Sequence, residues 1–317
     1  MPPGTQRFDR MSFRKQTQIL LHEYRSRSTL RAGSLIMTVF GDAVAPRGGT
    51  VWIGSLIKAL AEFGVSERLV RTSVYRLIQD DWLTVDQLGR RSFYSLSAEG
   101  GRQFEHATAR IYGEPRPSWS GDWVLVLLAD LDTGQKDTVR RELGWQGFAP
   151  ISSSVLAHPS PDKTELETTL QQTGLRKKLV VMQGTTLGTG NDTAMRDLVH
   201  KSWNLESLDE RYASFLTRFR PLIRAAGKTT SADRQNAFLV RTLLIQEYRK
   251  ILLRDPLLPA DLLPPGWQGV AAYQLCRELY RLVYAPADEY MSDEFETADG
   301  QLPPPSRQFF KRFGGLR

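Results

Sequence analysis

The clearest pattern of apolar and polar positions lies between Ser66 and Gln79. On a helix with about 100° per residue, this segment divides into two halves. The apolar half holds Leu69, Val70, Ser73, Val74, Leu77 and Ile78. The other half holds Arg68, Arg71, Thr72, Tyr75, Arg76 and Gln79. Side chains of this second kind contact DNA phosphates and base edges, so the pattern predicts an amphipathic helix whose outer half is suited to DNA.

The residues before this helix predict a helix-turn-helix. Residues 55–63 carry apolar side chains at helical spacing. Gly64 favours the end of that earlier helix, and Ser66 is a favourable N-cap for the basic one. A helix, a short turn and a basic helix is the arrangement in which the second helix reads the major groove.

A basic hairpin is predicted directly after the helix. Residues 83–88 and 92–96 are short strand-like runs, and Gly89, Arg90 and Arg91 lie between them. A glycine-containing tight loop between two such runs is typical of a β-hairpin. We therefore predict a winged helix-turn-helix DNA-binding domain over 31–113, preceded by an N-terminal extension over 1–30. The alternative is an ordinary amphipathic helix with a solvated charged face. The two arginines of the hairpin favour DNA binding.

The middle of the chain predicts a different fold. A proline-containing linker covers 114–118. After it the pattern indicates strands at 123–129, within 148–157 and at 178–182, and helices at 135–143 and 162–172. This order is the split βαβ of a ferredoxin-like domain, which we place at 119–184. By analogy with small domains of this type, it is a candidate dimerisation module.

The remainder of the chain is predominantly helical. Apolar residues at three- and four-residue spacing predict helices over 205–226, 231–253 and 270–284. Four prolines exclude a helix from the loop between the last two. We predict an α-helical C-terminal domain over 195–298, with a flexible tail over 299–317. The fold class is multidomain α+β.

Composition and charge place this architecture in context. The 317 residues are 41% apolar, which is enough for more than one core. The net charge is +7, and residues 1–112 account for +6 of it. A basic domain is the electrostatic pattern of phosphate contact. The single cysteine, Cys276, excludes an internal disulfide, and there is neither a signal peptide nor an apolar run of about 18 residues. We expect a cytoplasmic protein.

Catalytic chemistry finds little support in the sequence. The four histidines are scattered and none recurs at metal-ligand spacing. Asp130 and Asp132 follow the first strand of the middle domain, where carboxylates can hold Mg²⁺ for phosphodiester chemistry, although acids in a turn are more often turn formers. Residues 184–190 superficially resemble a phosphate loop but lack its Lys-Ser/Thr ending, so we interpret them as a linker. We predict no enzyme, no metal site and no cofactor.

A ligand other than DNA is also considered. The C-terminal helices are rich in aromatic residues, some of which could line a pocket for an aromatic ligand. Arg241, Arg249 and Arg254 are candidates to meet the phosphates of such an effector. Surface charge or salt bridging is the alternative interpretation for each of them.

Several blocks in one order resemble the PaaX family of transcriptional repressors, over about residues 30–295. The matching residues are Ser34-Leu35-Ile36-Met37-Thr38, Gly41-Asp42, Pro46-Arg47-Gly48-Gly49, Val51-Trp52-Ile53-Gly54-Ser55-Leu56, Ser66-Glu67-Arg68-Leu69-Val70-Arg71-Thr72, Gly89-Arg90-Arg91-Ser92-Phe93-Tyr94, Glu247-Tyr248-Arg249-Lys250-Ile251-Leu252-Leu253-Arg254-Asp255-Pro256-Leu257-Leu258-Pro259, Leu263-Pro264 and Gly266-Trp267-Gln268-Gly269.

The resemblance implies a winged-helix domain, a middle domain similar to the small CRISPR-associated Cas2 fold, and a helical C-terminal domain. It implies a homodimeric repressor of an aromatic-acid catabolic operon, of the phenylacetate type, that binds an inverted repeat. The effector it implies is an aryl acyl-CoA, typically phenylacetyl-CoA, which releases the repressor. The DNA-reading role falls on Arg68, Arg71, Thr72, Tyr75 and Arg76, with Arg90 and Arg91 in the wing.

Two other functions stay open at this point. One is a metal-dependent nuclease that uses Asp130 in the Cas2-like domain. The other is an enzyme that processes an acyl-CoA and carries the helix-turn-helix as an accessory. The missing nucleophile–base pair argues against the second.

Overall fold

The computed structural model describes residues 12–27, 31–113, 119–186, 193–226 and 233–316. The chain divides into two compact units. Unit 1 comprises residues 1–114, 215–249 and 272–317, and unit 2 comprises residues 115–214 and 250–271. The helices predicted as one C-terminal domain are therefore shared between the units. The predicted linker 114–118 and part of the segment 184–190 lie outside the described residues.

In its described residues, the N-terminal part of unit 1 contains five α-helices and a small sheet. The helices are α1 (Phe13–Arg25), α2 (Ala32–Val39), α3 (Ile53–Ala61), α4 (Glu67–Gln79) and α5 (Ala98–Tyr112). The strands are β1 (Thr50–Trp52), β2 (Leu83–Leu88) and β3 (Arg91–Leu96), in the antiparallel order β1-β3-β2. A π-helical turn, Phe40–Val44, continues α2.

Helix α2 lies inside unit 1 because its sequence is apolar on nearly every side. Leu35 and Ile36 are completely buried, and Phe40 in the following turn is buried as well. A helix that is hydrophobic all round is expected in a protein interior. Asp42 is the one acid in this apolar stretch, and it too is buried.

The C-terminal part of the chain adds three long helices and a short hairpin. They are α9 (Leu205–Ala226), α10 (Arg234–Leu252) and α11 (Gln268–Glu294), followed by β8 (Glu296–Thr297) and β9 (Gly300–Gln301). These helices confirm the predicted helical pattern, and α11 runs ten residues beyond the predicted end at 284.

The segment after β9 corrects the prediction of a flexible tail over 299–317. Prolines at 303–305 exclude a helix there, but 3₁₀ turns form over Phe309–Gly314, with a kink at Arg312 and Phe313, whose backbone angles are not helical. Phe309, Arg312 and Phe313 are buried in unit 1. The sequence pattern suggested disorder because of its prolines and charges, whereas the two aromatic side chains supply enough apolar burial to hold the segment in place.

Unit 2 is built on a four-stranded sheet. The sheet and the helices next to it in sequence are β4 (Asp122–Leu127), α6 (Thr133–Trp145), β5 (Ala149–Ser152), β6 (Val155–His158), α7 (Lys163–Gln172), β7 (Val180–Thr185) and α8 (Thr193–Trp203). The strand order is β5-β6-β4-β7 with every pair antiparallel. This topology confirms the split βαβ predicted for 119–184.

Both faces of the sheet in unit 2 are covered, and alternation along the strands explains why. Val124 and Val126 of β4 point to one face and pack with Val139 and Leu143 of α6. On the other face, Trp123 belongs to a cluster of buried residues with partly buried hydrophobics around it. The buried members are Trp123, Ala157, Val199, Leu205, Leu258 and Leu262. The proline-rich loop between α10 and α11 thus supplies part of this core.

Candidate nucleic-acid interface

The structure places the five predicted DNA-reading residues of α4 on one exposed side of that helix. Arg68, Arg71, Thr72, Tyr75 and Arg76 are all exposed, and the Tyr75 side chain is 64% accessible although it is aromatic. The inner side is held by two completely buried valines, at positions 70 and 74. The sequence pattern therefore located the outward face of this helix correctly.

One position of α4 differs from the sequence pattern. Leu69, which was assigned to the apolar half, is 37% exposed. It lies about 100° around the helix from the buried Val70, so it occupies the border between the two halves.

Ser66 and Gly64 determine where α4 begins. The Ser66 hydroxyl accepts a hydrogen bond from the backbone N–H of Leu69 at 3.3 Å, which confirms the predicted N-cap. Gly64 has φ of +79°, the left-handed conformation in which glycine commonly ends a helix. The turn between α3 and α4 is consequently short, and it sets the direction of the basic helix.

The β2–β3 hairpin presents the two predicted arginines at its tip. Leu88 pairs with Arg91, which leaves a two-residue loop of Gly89 and Arg90, and Gly89 has φ of +61°. Arg90 and Arg91 are both exposed. Arg91 is held in place: its Nη1 lies 2.6 Å from Oε2 of Glu296, and its guanidinium stacks 4.5 Å from the ring centroid of Trp52.

The exposed arginines differ in their electrostatic partners. Arg71 forms an i,i+4 pair with Glu67 at 2.8 Å, and both side chains are more than half exposed. Such a pair contributes only about 0.3–0.5 kcal/mol and is readily exchanged for a phosphate. Within the part of the chain that the structure describes, no carboxylate pairs with Arg68, Arg76 or Arg90.

The three arginines considered for an effector have different surroundings. Arg241 is completely buried in unit 1, and Arg249 donates to the backbone oxygen and hydroxyl of Ser34 at 3.2 and 3.0 Å. Arg254 belongs to unit 2 and is exposed. Arg241 and Arg249 thus contact other residues of unit 1.

The surroundings of Arg241 are a buried charge cluster that sequence reasoning missed. Both Arg241 and Arg312 contact the Asp42 carboxylate, at 2.7 and 2.9 Å. The hydroxyls of Tyr112 and Tyr280 donate to Oδ1 of Asp42 at 2.6 and 2.8 Å. The available signal was the lone acid of the Gly41-Asp42 block inside an apolar helix, since a buried carboxylate requires charged or hydrogen-bonding partners.

The cluster determines the charge state of its members. Burial alone would raise the pKa of the Asp42 carboxyl, but the guanidinium groups of Arg241 and Arg312, with the two tyrosine hydroxyls, hold that pKa below its ordinary value. Burial raises the pKa of Tyr112 and Tyr280, so both phenols keep the proton that they donate. Asp42 is accordingly an ionised carboxylate at neutral pH.

One of the two acids considered for a nuclease has a structural role. Asp132 is the N-cap of α6, and its Oδ1 accepts from the backbone N–H of Gln135 at 2.9 Å. Asp130 is exposed. Across the described residues, no group of three His, Cys, Asp or Glu side chains is arranged to hold a metal ion.

No helix of the described residues has the length and apolarity to cross a membrane.

Comparisons with solved structures bear on the fold. An uncharacterized protein from Mycobacterium tuberculosis, Rv0674, superposes with a TM-score of 0.54 at 20% identity. The match covers 82% of this chain and 99% of that one. At this level of identity it indicates a shared fold.

Comparisons with known families identify the chain. Models described as PaaX-like protein, PaaX protein central Cas2-like domain and PaaX-like protein C-terminal domain match residues 31–100, 116–196 and 203–293. The transcriptional repressor PaaX of Escherichia coli (strain K12) is 39% identical over 287 residues, which is 89% of this chain and 90% of that protein. The prediction that the chain is not an enzyme is confirmed, because its named relative is a regulator. The chain belongs to the PaaX family of transcriptional repressors.

Proposed function

We propose that this protein is a homodimeric repressor of a phenylacetate-type catabolic operon, that it binds inverted-repeat operator DNA, and that an aryl acyl-CoA such as phenylacetyl-CoA releases it. The observation that carries the proposal is the single exposed side of α4, where Arg68, Arg71 and Arg76 surround Tyr75 and no buried role competes for them. The relative of stated function is a transcriptional repressor as well.

In this proposal α3, α4 and the β2–β3 hairpin form a winged helix-turn-helix. Helix α4 enters the major groove, where Arg71 and Arg68 are the first candidates for guanine or phosphate contact. Arg90 and Arg91 reach the adjacent minor groove or its phosphates. Two copies place two α4 helices in successive major grooves, which matches the symmetry of an inverted repeat.

Dimerisation is assigned to unit 2. Strand β7 is an edge of the sheet, and its Val180 and Met182 side chains are 57% and 50% exposed. An unpaired edge strand with exposed apolar residues is a template for pairing with a second chain. This feature supports the proposed homodimer, in which two middle domains join.

The decisive experiment is a fluorescence-anisotropy titration of the protein onto its own upstream intergenic DNA at fixed salt. We expect tight binding to a duplex with both half-sites, weaker binding to one half-site, and weakening by phenylacetyl-CoA but not by free phenylacetate. Binding that is equal for unrelated DNA would refute the repressor function. Binding that ignores the thioester would refute the effector alone.

The contact between Arg91 and Glu296 gives a second expectation. Glu296→Gln removes the carboxylate that holds Arg91, so the arginine is free to meet a phosphate. The pair is about half exposed, and exposed pairs contribute about 0.2–1 kcal/mol, so operator affinity should rise by a factor of about 1.4 to 5 at low salt. The same anisotropy assay measures it.

Asp299→Asn is the matched control for this substitution. It removes an equal charge from the same hairpin, between β8 and β9, where its carboxylate has no arginine partner among the described residues. If Asp299→Asn raises the affinity as much as Glu296→Gln does, the gain is a general charge effect and Arg91 is not restrained by Glu296.

A further inference from the structure

Unit 1 contains a cavity of about 720 Å³ that the DNA-binding surface does not use. Its walls come from the π-helical turn after α2, from α5, and from the C-terminal 3₁₀ segment. Volumes of about 300–1,000 Å³ are typical of sites for small organic molecules. The cavity is therefore large enough to hold a ligand.

The lining combines aromatic and apolar groups with a cationic border. Phe104 and Tyr112 of α5 and Phe309 of the 3₁₀ segment contribute aromatic rings. Gly41 brings the backbone close to Phe104, since a Cβ built on Gly41 would lie 1.1 Å from the ring. An aromatic or similarly flat apolar group fits such walls, because rings stack favourably on rings.

Charged groups are distributed unevenly around this lining. Arg312 faces the cavity but is committed to Asp42 at 2.9 Å. Lys311 lines the cavity and Arg307 lies between two lining residues; both are exposed, and in the described chain no carboxylate pairs with either. Glu105 is the carboxylate of the lining. The two unpaired cations next to the aromatic walls suit a ligand with a phosphate-bearing end.

The segment that closes the cavity also reaches the basic hairpin. At the cavity, the backbone N–H of Ser306 donates to the oxygen of Pro46 at 2.8 Å. Next along the chain, Arg47 Nη1 donates to the oxygen of Pro303 at 3.0 Å. At the other end of the segment, Glu296 pairs with Arg91 at 2.6 Å. Residues 296–312 are thus one continuous connection from the cavity to the wing.

We infer that this cavity is the effector site, that it takes the flat apolar acyl group of an aryl acyl-CoA among Phe104, Tyr112 and Phe309, and that Arg307 and Lys311 meet the phosphates. The inference rests on the proposed function. A ligand that holds the segment 306–312 in place keeps Glu296 on Arg91 and so keeps that arginine away from the DNA phosphates. Such a ligand weakens DNA binding when it prefers the arrangement that does not fit the operator.

Gly101→Trp tests the location of the site. Gly101 lines the cavity on α5, and a Cβ built there meets no atom within 4 Å, so the indole can occupy the cavity without disturbing the backbone. Gly144→Trp is the matched control. Gly144 is also a helical glycine with no atom within 4 Å of its built Cβ, and it lies in unit 2.

Titration calorimetry with phenylacetyl-CoA and anisotropy with operator DNA are measured on the wild-type protein and both variants. We expect Gly101→Trp to bind the thioester roughly tenfold more weakly or worse, because the indole fills the cavity. Phenylacetyl-CoA should accordingly no longer weaken the operator binding of this variant, because the two sites are coupled only through the ligand. Gly144→Trp should match wild type in both assays.

The outcomes distinguish the location of the effector site from the proposed repressor function. If Gly101→Trp binds phenylacetyl-CoA like the wild type, the site is elsewhere, while the repressor function stands. If the wild type itself fails to bind phenylacetyl-CoA, both the effector and the site assigned to it are overturned, while DNA binding by α4 stands.

A second pair of variants examines the cationic border. Lys311→Glu should weaken phenylacetyl-CoA binding and reduce the dependence of that binding on salt, because a phosphate contact is lost. Lys201→Glu, an exposed residue of α8 in unit 2, changes the net charge equally and should leave binding unchanged. Equal effects of the two substitutions would refute the phosphate contact at Lys311.

Discussion

Asp42→Asn is expected to lower the free energy of unfolding of unit 1 by about 3–5 kcal/mol, the cost of removing one partner from a buried ion pair. The substitution leaves Arg241 and Arg312 buried, each with a guanidinium whose main counter-charge is gone. Arg241 keeps one ion pair, with Asp288 at 2.8 Å, so the loss falls hardest on Arg312. Urea denaturation followed by circular dichroism measures the change. Hydrogen exchange assigns it to unit 1.

The pKa of Asp42 predicts how the stabilisation of unit 1 by this residue depends on pH. The pKa of Asp42 is lower in the folded protein than its ordinary value of 3.8. The carboxylate therefore stabilises the fold at any pH above that ordinary value, and the contribution is lost as the pH falls through the lowered folded pKa. Wild type and Asp42→Asn should differ fully at neutral pH and converge in strong acid.

Asp293→Asn is the control for Asp42→Asn. Asp293 pairs with Arg234 at 3.0 Å in the same unit, but both side chains are exposed to solvent. An exposed pair contributes at most about 1 kcal/mol, so the control should be nearly neutral. If Asp42→Asn is as mild as Asp293→Asn, the cluster does not hold unit 1 together.

Arg71→Ala is expected to weaken operator binding by about 1–3 kcal/mol, which is roughly a five- to 150-fold rise in Kd. The reason is its place on the exposed side of α4, next to Thr72 and Tyr75, where the proposed function assigns it to contact with the DNA. The loss of its pair with Glu67 contributes little, since both side chains are exposed. Anisotropy titrations on the operator and on operators with single base changes measure the effect.

Arg141→Ala separates base reading from charge. Arg141 is an exposed arginine of α6 in unit 2 that pairs with Glu142. Its removal deletes the same charge without touching α4, so operator affinity should change little. Arg71 is a base-reading residue if its loss also relaxes discrimination at one base pair. A uniform loss across all sequences, with a smaller salt slope, would instead make it a phosphate contact.

Elements with a strong local signal were predictable from the sequence. Helix α4 has a regular alternation of buried and exposed positions together with an N-cap at Ser66, and the structure reproduces both. The middle domain was predictable for a similar reason, because its strands alternate with helices whose apolar residues recur at fixed spacing. In both cases the information lies in the spacing of residues within each single helix or strand.

Features that depend on distant residues were not predictable. The Asp42 cluster joins residues separated by 199 and 270 positions, and no local pattern records that pairing. The cavity is a case of the same kind, since α5 and the 3₁₀ segment meet only in the folded protein. The segment after β9 appeared flexible because its local composition is proline-rich, whereas its order comes from the burial of Phe309 and Phe313.

The discontinuous build of unit 1 has a consequence for synthesis. Residues 31–113 leave the ribosome long before Arg312, which is one of the two arginines that neutralise Asp42. Until then the nascent N-terminal segment holds a carboxylate in an apolar helix without its counter-charges, so its stable core waits for the C-terminal helices. Closing such long loops is slow, since the chain loses entropy before the contacts form. A partly synthesised chain therefore lacks both counter-charges of Asp42, and the core around its N-terminal helices is complete only once Arg241 and Arg312 are in place.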